Sequence, residues 1–304
     1  MARTHDIAER YRVSEGHGFR LDRVDPAGAP ASEAGRAAVA PRLAANAERL
    51  GKLQERLFAE GRRSVLLVLQ AMDAGGKDSA IRHVLRGINP QGCEVRAFEA
   101  PGPAERRHDF LRRQALARPA RGHIGVFNRS HYEEVLIVRV HPRFLEAQNL
   151  PPAAWDDPLW AERFEAIRVF EDQLVRAGTA VLKVFLHVSR AEQARRLLAR
   201  IERPEKNWKF AAADVEERAH WDAYMAAYQD AIRATARPHA PWLVVPADDK
   251  WHARLAISEA LKAELERLDP RFPTLGEAER RRMAEARATL RRELGEDDAA
   301  RRGG

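Results

Sequence analysis

Ser64-Val65-Leu66-Leu67-Val68-Leu69-Gln70-Ala71-Met72-Asp73-Ala74-Gly75-Gly76-Lys77-Asp78 passes from an apolar run, through a glycine turn, to a lysine. Ser64–Gln70 reads as a buried strand, and Ile81, Val84 and Leu85 then recur at helical spacing up to Gly87. Strand, glycine turn, lysine and helix, in that order, make the setting of a phosphate-cradling loop. Gly75 and Gly76 let backbone N–H groups close around an anion. The helix start adds a partial positive charge and Lys77 a full one. The turn departs from the standard pattern at two places. Ala71 stands where the first glycine belongs, and Asp78 replaces the Ser/Thr whose hydroxyl ligates magnesium. Asp73 sits inside the loop, where a carboxylate repels phosphate unless a divalent cation lies between them, so Asp73 implies a metal. An ordinary glycine-rich β–α turn with a surface lysine is the alternative for these residues taken alone.

Four further segments read as strands: Glu94–Glu99, Ile124–Asn128, Ala180–Val188 and Trp242–Pro246. The near-continuous apolar runs among them suit parallel strands covered on both faces. Helical patterns lie between them. Asp156-Asp157-Pro158 opens one carrying Trp160, Phe164, Ile167 and Leu174, closed by Gly178. Asp214-Val215-Glu216-Glu217 has the form of a capping box leading into Trp221, Met225, Tyr228 and Ile232. The alternation predicts a three-layer α/β fold with a five-stranded parallel sheet. Residues 1–40 read as an extended arm with loops, and 41–60 as an amphipathic helix with Leu43, Leu50, Leu53 and Leu57 inward. Residues 41–270 are expected to form the main domain, and 271–304 a charged helix and tail with a thin seam of Met283, Ala286, Leu290 and Leu294.

Asn128-Arg129-Ser130-His131-Tyr132-Glu133-Glu134 follows the third strand, next to the first in such a sheet. Arg129 can face transferring oxygens there. Asn128 and Glu133 suit a magnesium water or a nucleotide group; alternatively Asn128 caps the next turn and Glu133 pairs with an arginine. His131 reads as a structural hydrogen-bonder. After the fourth strand, Arg196, Arg200 and Arg203 share one helical face until Pro204, with Lys206 and Lys209 in the turn beyond. That is where kinases of this type place a lid that excludes water, with Trp208 expected to anchor the hinge by packing.

Composition narrows the choices. The 304 residues are 45% hydrophobic and 32% charged, enough for a core and against wholesale disorder. The longest aliphatic run, Val65–Leu69, falls far short of the roughly 20 residues of a membrane span. Residues 1–20 lack the apolar core of a secretory signal, and the single Cys93 excludes an internal disulfide, so a cytoplasmic protein without membrane association is expected. The net charge of +7 attracts polyanions of any kind. A nucleic-acid binder would interleave aromatics with the basic residues. Aromatics make up only 7%, mainly on apolar helix faces, so nucleic acid is not expected as a partner.

Four segments in order, LQAMDAGGKDSAIRHVLRGINPQG, FNRSHYE, RIERPEKNWKF and PHAPWLVVPADDKWHAR, together resemble the polyphosphate kinase type 2 family over roughly Leu50 to Leu268. The resemblance implies a P-loop kinase-like core with a helical lid at about 190–237. It implies Mg2+ as cofactor, and inorganic polyphosphate with adenine or guanine nucleotides as partners of a homo-oligomer. By position, Asp73 and Lys77 match the family's loop residues and Arg129 the arginine of its second motif. Arg200, Lys206 and Lys209 match the lid's basic positions, with Arg203 beside them. Asp73, Lys77 and Arg129 are therefore the expected catalytic residues and Asp73 the metal ligand. Gly75, Gly76, Lys77, Arg200, Arg203, Lys206 and Lys209 are expected on phosphate, and Asn128 and Glu133 on nucleotide. Asn128 with Glu133 resembles the branch that phosphorylates both AMP and ADP. An ATP-dependent nucleoside or small-molecule kinase on the same fold is the rival, against which the irregular loop argues.

Overall fold

A computed structural model of the chain describes residues 6–28, 33–151 and 158–294. The described residues up to Pro270 form one compact unit and those from Arg271 a second. The first unit is built on six strands: β1 (Arg12–Val13), β2 (Ser64–Ala71), β3 (Cys93–Ala97), β4 (Ile124–Asn128), β5 (Thr179–His187) and β6 (Trp242–Pro246). Their order is β1-β6-β5-β2-β4-β3, and β1 alone runs antiparallel, pairing Arg12 with Leu243 and Val13 with Trp242.

The expected five-stranded, all-parallel sheet is therefore corrected to a six-stranded mixed one. The extra strand comes from the segment read as an arm of loops. Two residues are too few to show alternation, and Arg12–Val13 is a strand only because the outer edge of β6 offers unpaired backbone groups. The Tyr11 carbonyl accepts from the Val244 N–H at 2.9 Å, and Arg12 Nη2 reaches Glu264 Oε1 at 2.6 Å, fastening the segment down.

β2 and β5 are buried at every position, so the sheet centre is covered on both faces, as their near-continuous apolar runs require. Helices α1 (Glu33–Glu60), α2 (Lys77–Val84) and α6 (Lys250–Leu268) pack together, while α3 (Pro158–Arg176) packs on β5 and on α5 (Trp221–Thr235). α1 begins before residue 41 and runs through Pro41. Leu50, Leu53 and Leu57 are buried as their spacing predicts, but Leu43 is only half-buried. Phe164, Ile167 and Leu174 bury one face of α3, and Gly178 follows at φ +93°, a conformation that suits glycine. The start expected at Asp156-Asp157 lies outside the described residues.

The capping box expected at Asp214 does not form. A short helix, Ala212–Glu216, and a 3-10 turn precede α5, and the Asp214 carboxylate is turned to Arg200 instead. The second unit contains one helix, α7 (Glu277–Glu293), with no buried residue, so the seam of Met283 and Leu290 is exposed. Among the described residues no helix is long and apolar enough to cross a membrane.

Candidate phosphate-transfer site

β2 is flanked by β5 and β4, the point at which the strand order reverses, and such crevices at the carboxyl ends of strands receive ligands. The turn leaving β2 is tight. The Gly75 N–H donates to the Met72 carbonyl at 2.9 Å, Ala74 adopts φ +57°, and Gly76 adopts φ +108° at the N-terminus of α2. A Cβ on Gly75 would lie 2.5 Å from Ala71 Cβ and 2.7 Å from the Met72 carbonyl oxygen, so the position is closed to larger residues. Lys77 folds back over the turn and donates to the Ala71 carbonyl at 2.8 Å. Burial holds its pKa below the usual lysine value, although Asp73 works in the other direction.

β4 delivers the second motif to the same place. Arg129 takes a left-handed backbone, φ +63°, and its Nη2 donates to Asp73 Oδ1 at 2.9 Å. Against the opposing effect of burial, Glu133 and Asp73 raise the guanidinium's pKa. Glu133 is near enough to this pair for both of its members to act on its charge. Burial raises its pKa, and Arg129 and Lys77 pull the other way. In the orientation that satisfies both polar atoms of the Gln70 amide, its nitrogen donates to Glu133 Oε1 at 2.9 Å. Asn128 Nδ2 donates to Asp78 Oδ1 at 2.8 Å. His131 is fully buried, 3.4 Å from Glu171 Oε1, in the structural place expected of it.

The basic segment is divided. Lys209 Nζ lies 3.5 Å from Asp78, and Arg200 Nη1 donates to Asp214 Oδ2 at 2.6 Å and to the Lys209 carbonyl. Burial, and after it Asp73, raises the pKa of Asp214. Lys206 is half-buried on the side of Lys250, whereas Arg203 is exposed at the end of α4 (Arg190–Glu202). Trp208 does not anchor the hinge. It is 77% exposed, with Lys209 Nζ 4.8 Å from its ring.

Arg196 shares a helical face with Arg200 and Arg203 by its spacing, and the structure separates it from them. Its side chain is buried and donates to the carbonyls of Ala74, Gly75, Ala247 and Asp248, the last three at 2.9, 2.5 and 3.1 Å. Gln193 Nε2 donates to the Asp73 carbonyl at 3.0 Å from the same helix. Both residues shape the turn from behind. Their only sequence signal is helical spacing, which gives a shared face but not what that face meets.

The donor set for a metal is small. Among the described residues no group of three or more His, Cys, Asp or Glu side chains is arranged around one point. Asp73 Oδ2 has no hydrogen-bond partner among the described residues, and its side chain is 27% exposed. This fits an ion that keeps most of its waters and is shared with substrate phosphates, which is how magnesium is bound by one or two carboxylates.

Residues 34–273 match the family model Polyphosphate kinase 2 (PPK2). The ADP-polyphosphate phosphotransferase of Rhodopseudomonas palustris is 49% identical over 249 residues, 82% of this chain and 86% of that protein. The AMP/ADP-polyphosphate phosphotransferase of Meiothermus ruber is 45% identical over 265 residues, 87% and 95% respectively. The crystal structure of polyphosphate kinase 2 from Arthrobacter aurescens TC1 superimposes with a TM-score of 0.82 at 42% identity, covering 92% of this chain and 96% of that one. The family model and these relatives each span most of the chain, and the chain belongs to the polyphosphate kinase 2 family.

Proposed function

We propose that this protein transfers phosphoryl groups between inorganic polyphosphate and the adenine nucleotides AMP and ADP. The observation that carries the reading is the convergence of Asp73, Lys77 and Arg129, from two separate strand ends, on one glycine turn. The similar Meiothermus ruber protein is named for the same AMP/ADP chemistry.

The attacking atom in such a reaction is a phosphate oxygen, already anionic at neutral pH, so no general base is required. Catalysis then consists of alignment and charge neutralisation. Lys77 and Arg129 bind oxygens of the transferring phosphoryl group, and the Gly75 and Gly76 backbone shapes the cradle. Asp73 would hold the magnesium ion, which when bound screens the charge of donor and acceptor phosphates. A phosphate arriving at Arg129 takes over the guanidinium now held by Asp73. Lys206 and Lys209, with Arg200 and Arg203, belong to a lid that closes over the anions and excludes water. Asn128 and Glu133 are assigned to the nucleotide, beside Arg129 at the end of β4.

Purified protein with magnesium and long-chain polyphosphate, supplied with AMP or ADP, is expected to form ADP and ATP. Formation of product only when ATP replaces polyphosphate as donor would overturn the reading in favour of an ATP-dependent kinase.

A further inference from the structure

We propose a second oligophosphate-binding site in a cavity remote from the phosphate turn. The cavity lies between the loop that follows β1 and the C-terminal end of α5, and has a volume of about 910 Å³. No residue of the turn, the β4 motif or the basic stretch Arg196–Lys209 lines it; Arg233 and Arg237 lie at the far end of the 190–237 segment expected as lid, where α5 packs on α3. Its rim lies at the start of β6, whereas the transfer site lies at the carboxyl ends of the strands.

Arg139, Arg168, Arg233 and Arg237 line this space, against only two acids, Glu15 and Asp230. Asp230 is already committed to Arg139 at 2.9 Å. Arg139 keeps its Nη1 buried with no partner among the described residues. Arg168 donates to the Ala234 carbonyl at 3.0 Å and pairs with Glu165. Arg233 uses Nε on the Phe19 carbonyl at 2.7 Å, which pins the guanidinium while its terminal nitrogens have no partner among the described residues. Arg237 spends one nitrogen on the neighbouring Ala236 carbonyl. Burial, and after it the nearby Arg237, lowers the pKa of Arg168, so these cations already repel one another.

The walls are set by close packing. A Cβ on Gly16 would come within 1.9 Å of the Arg233 carbonyl oxygen, so the loop lies flush on the end of α5. The planar guanidinium groups of Arg233 and Arg237, beside a space the size of a small-ligand pocket, match an anion with several phosphate oxygens. With Arg139 paired to Asp230 and Arg168 to Glu165, the guanidinium groups left for an anion are those of Arg233 and Arg237. A condensed phosphate chain and the phosphates of a nucleotide share this chemistry.

The test is calorimetric titration of the full chain with tripolyphosphate at low salt, comparing wild type, Lys77→Ala, Arg237→Gln and Arg233→Gln/Arg237→Gln. Wild type is expected to bind at two sites, and Lys77→Ala to keep the cavity site. Arg237→Gln touches only a neighbouring backbone bond, so the fold survives it, and it should weaken the cavity site about tenfold. The double variant should lose that site while turnover of ADP with polyphosphate stays at the wild-type level. Titrating ADP and ATP into Lys77→Ala identifies the occupant. Binding that Arg237→Gln weakens assigns the cavity to nucleotide phosphates, and its absence to the condensed chain. Unchanged stoichiometry and affinity in both cavity variants would overturn the site. So would loss of an oligomer without loss of tripolyphosphate binding, which would make the cavity a contact between copies. Absence of turnover in every protein would instead sink the proposed reaction and leave the two-site titration standing.

Discussion

Arg129 and Asp73 meet at 2.9 Å although they leave different strands, one following β4 and the other β2. Each is partly exposed, at 41% and 27%, so the pair contributes little to stability and is free to reorganise when phosphate or a metal arrives. Asp73→Asn is expected to reduce turnover by about 10³-fold or more, and Arg129→Ala by roughly 10³–10⁵-fold. Neither should move the thermal midpoint by more than a degree or two. Steady-state kinetics with a parallel melting curve checks both, and wild-type turnover in either variant would remove the assigned roles.

Gly75 is constrained by a backbone atom as well as by a side chain. Gly75→Ala places a methyl against both Ala71 Cβ and the Met72 carbonyl oxygen, so the turn must shift, with an expected loss of about 10²-fold in kcat. Ala71→Gly alone should keep full activity. Ala71→Gly/Gly75→Ala should not recover, because the 2.7 Å contact to the Met72 carbonyl persists. Recovery in the double variant would show that the turn is limited by side-chain crowding instead.

Arg196 ties the phosphate turn to the segment after β6 through carbonyls on both. Arg196→Ala leaves those carbonyls without their charged donor, and a cost of about 3 kcal/mol or more is expected in urea unfolding. Arg196→Lys should rescue little, since one ammonium cannot span carbonyls that a guanidinium fork reaches together.

His187 is buried at the end of β5, and burial lowers its pKa from 6.5 to about 4, despite Asp248 and a hydrogen bond to the Val24 backbone. The folded state therefore binds fewer protons than the unfolded chain between these values. Stability from the neutral imidazole is complete above about pH 6.5 and is lost as pH falls towards 4, a change of roughly 3 kcal/mol. His187→Gln should flatten the stability profile over that window. Denaturant titrations at pH 7, 5.5 and 4.5 would reveal it, and an unchanged slope would rule His187 out as the cause.

Lys183 and Glu171 form an ion pair at 2.6 Å inside the core, 0% and 2% exposed, and Tyr132 also donates to Glu171. Lys183→Met strands the carboxylate and is expected to cost about 3–5 kcal/mol. Lys183→Met/Glu171→Leu should be closer to wild type than the single variant. Equal destabilisation in both would mean that packing, not charge, decides the matter.

The local pattern of the chain carried much of this protein. Ser64–Lys77 identifies strand, turn and helix because burial on both faces, a glycine turn and helical spacing are all local signals, and Leu50, Leu53 and Leu57 are buried as their period requires. Arg129 was legible as a partner of the turn because strand adjacency follows from topology. The remainder depended on long-range contacts. Arg12–Val13 is a strand only beside the edge of β6, Asp214 forsakes its cap for Arg200, and Arg196 leaves its basic neighbours for backbone carbonyls. A charge or a short extended segment satisfies several partners equally well in isolation. Which one it takes is fixed when the sheet order brings one of them within hydrogen-bond reach and removes water from the others.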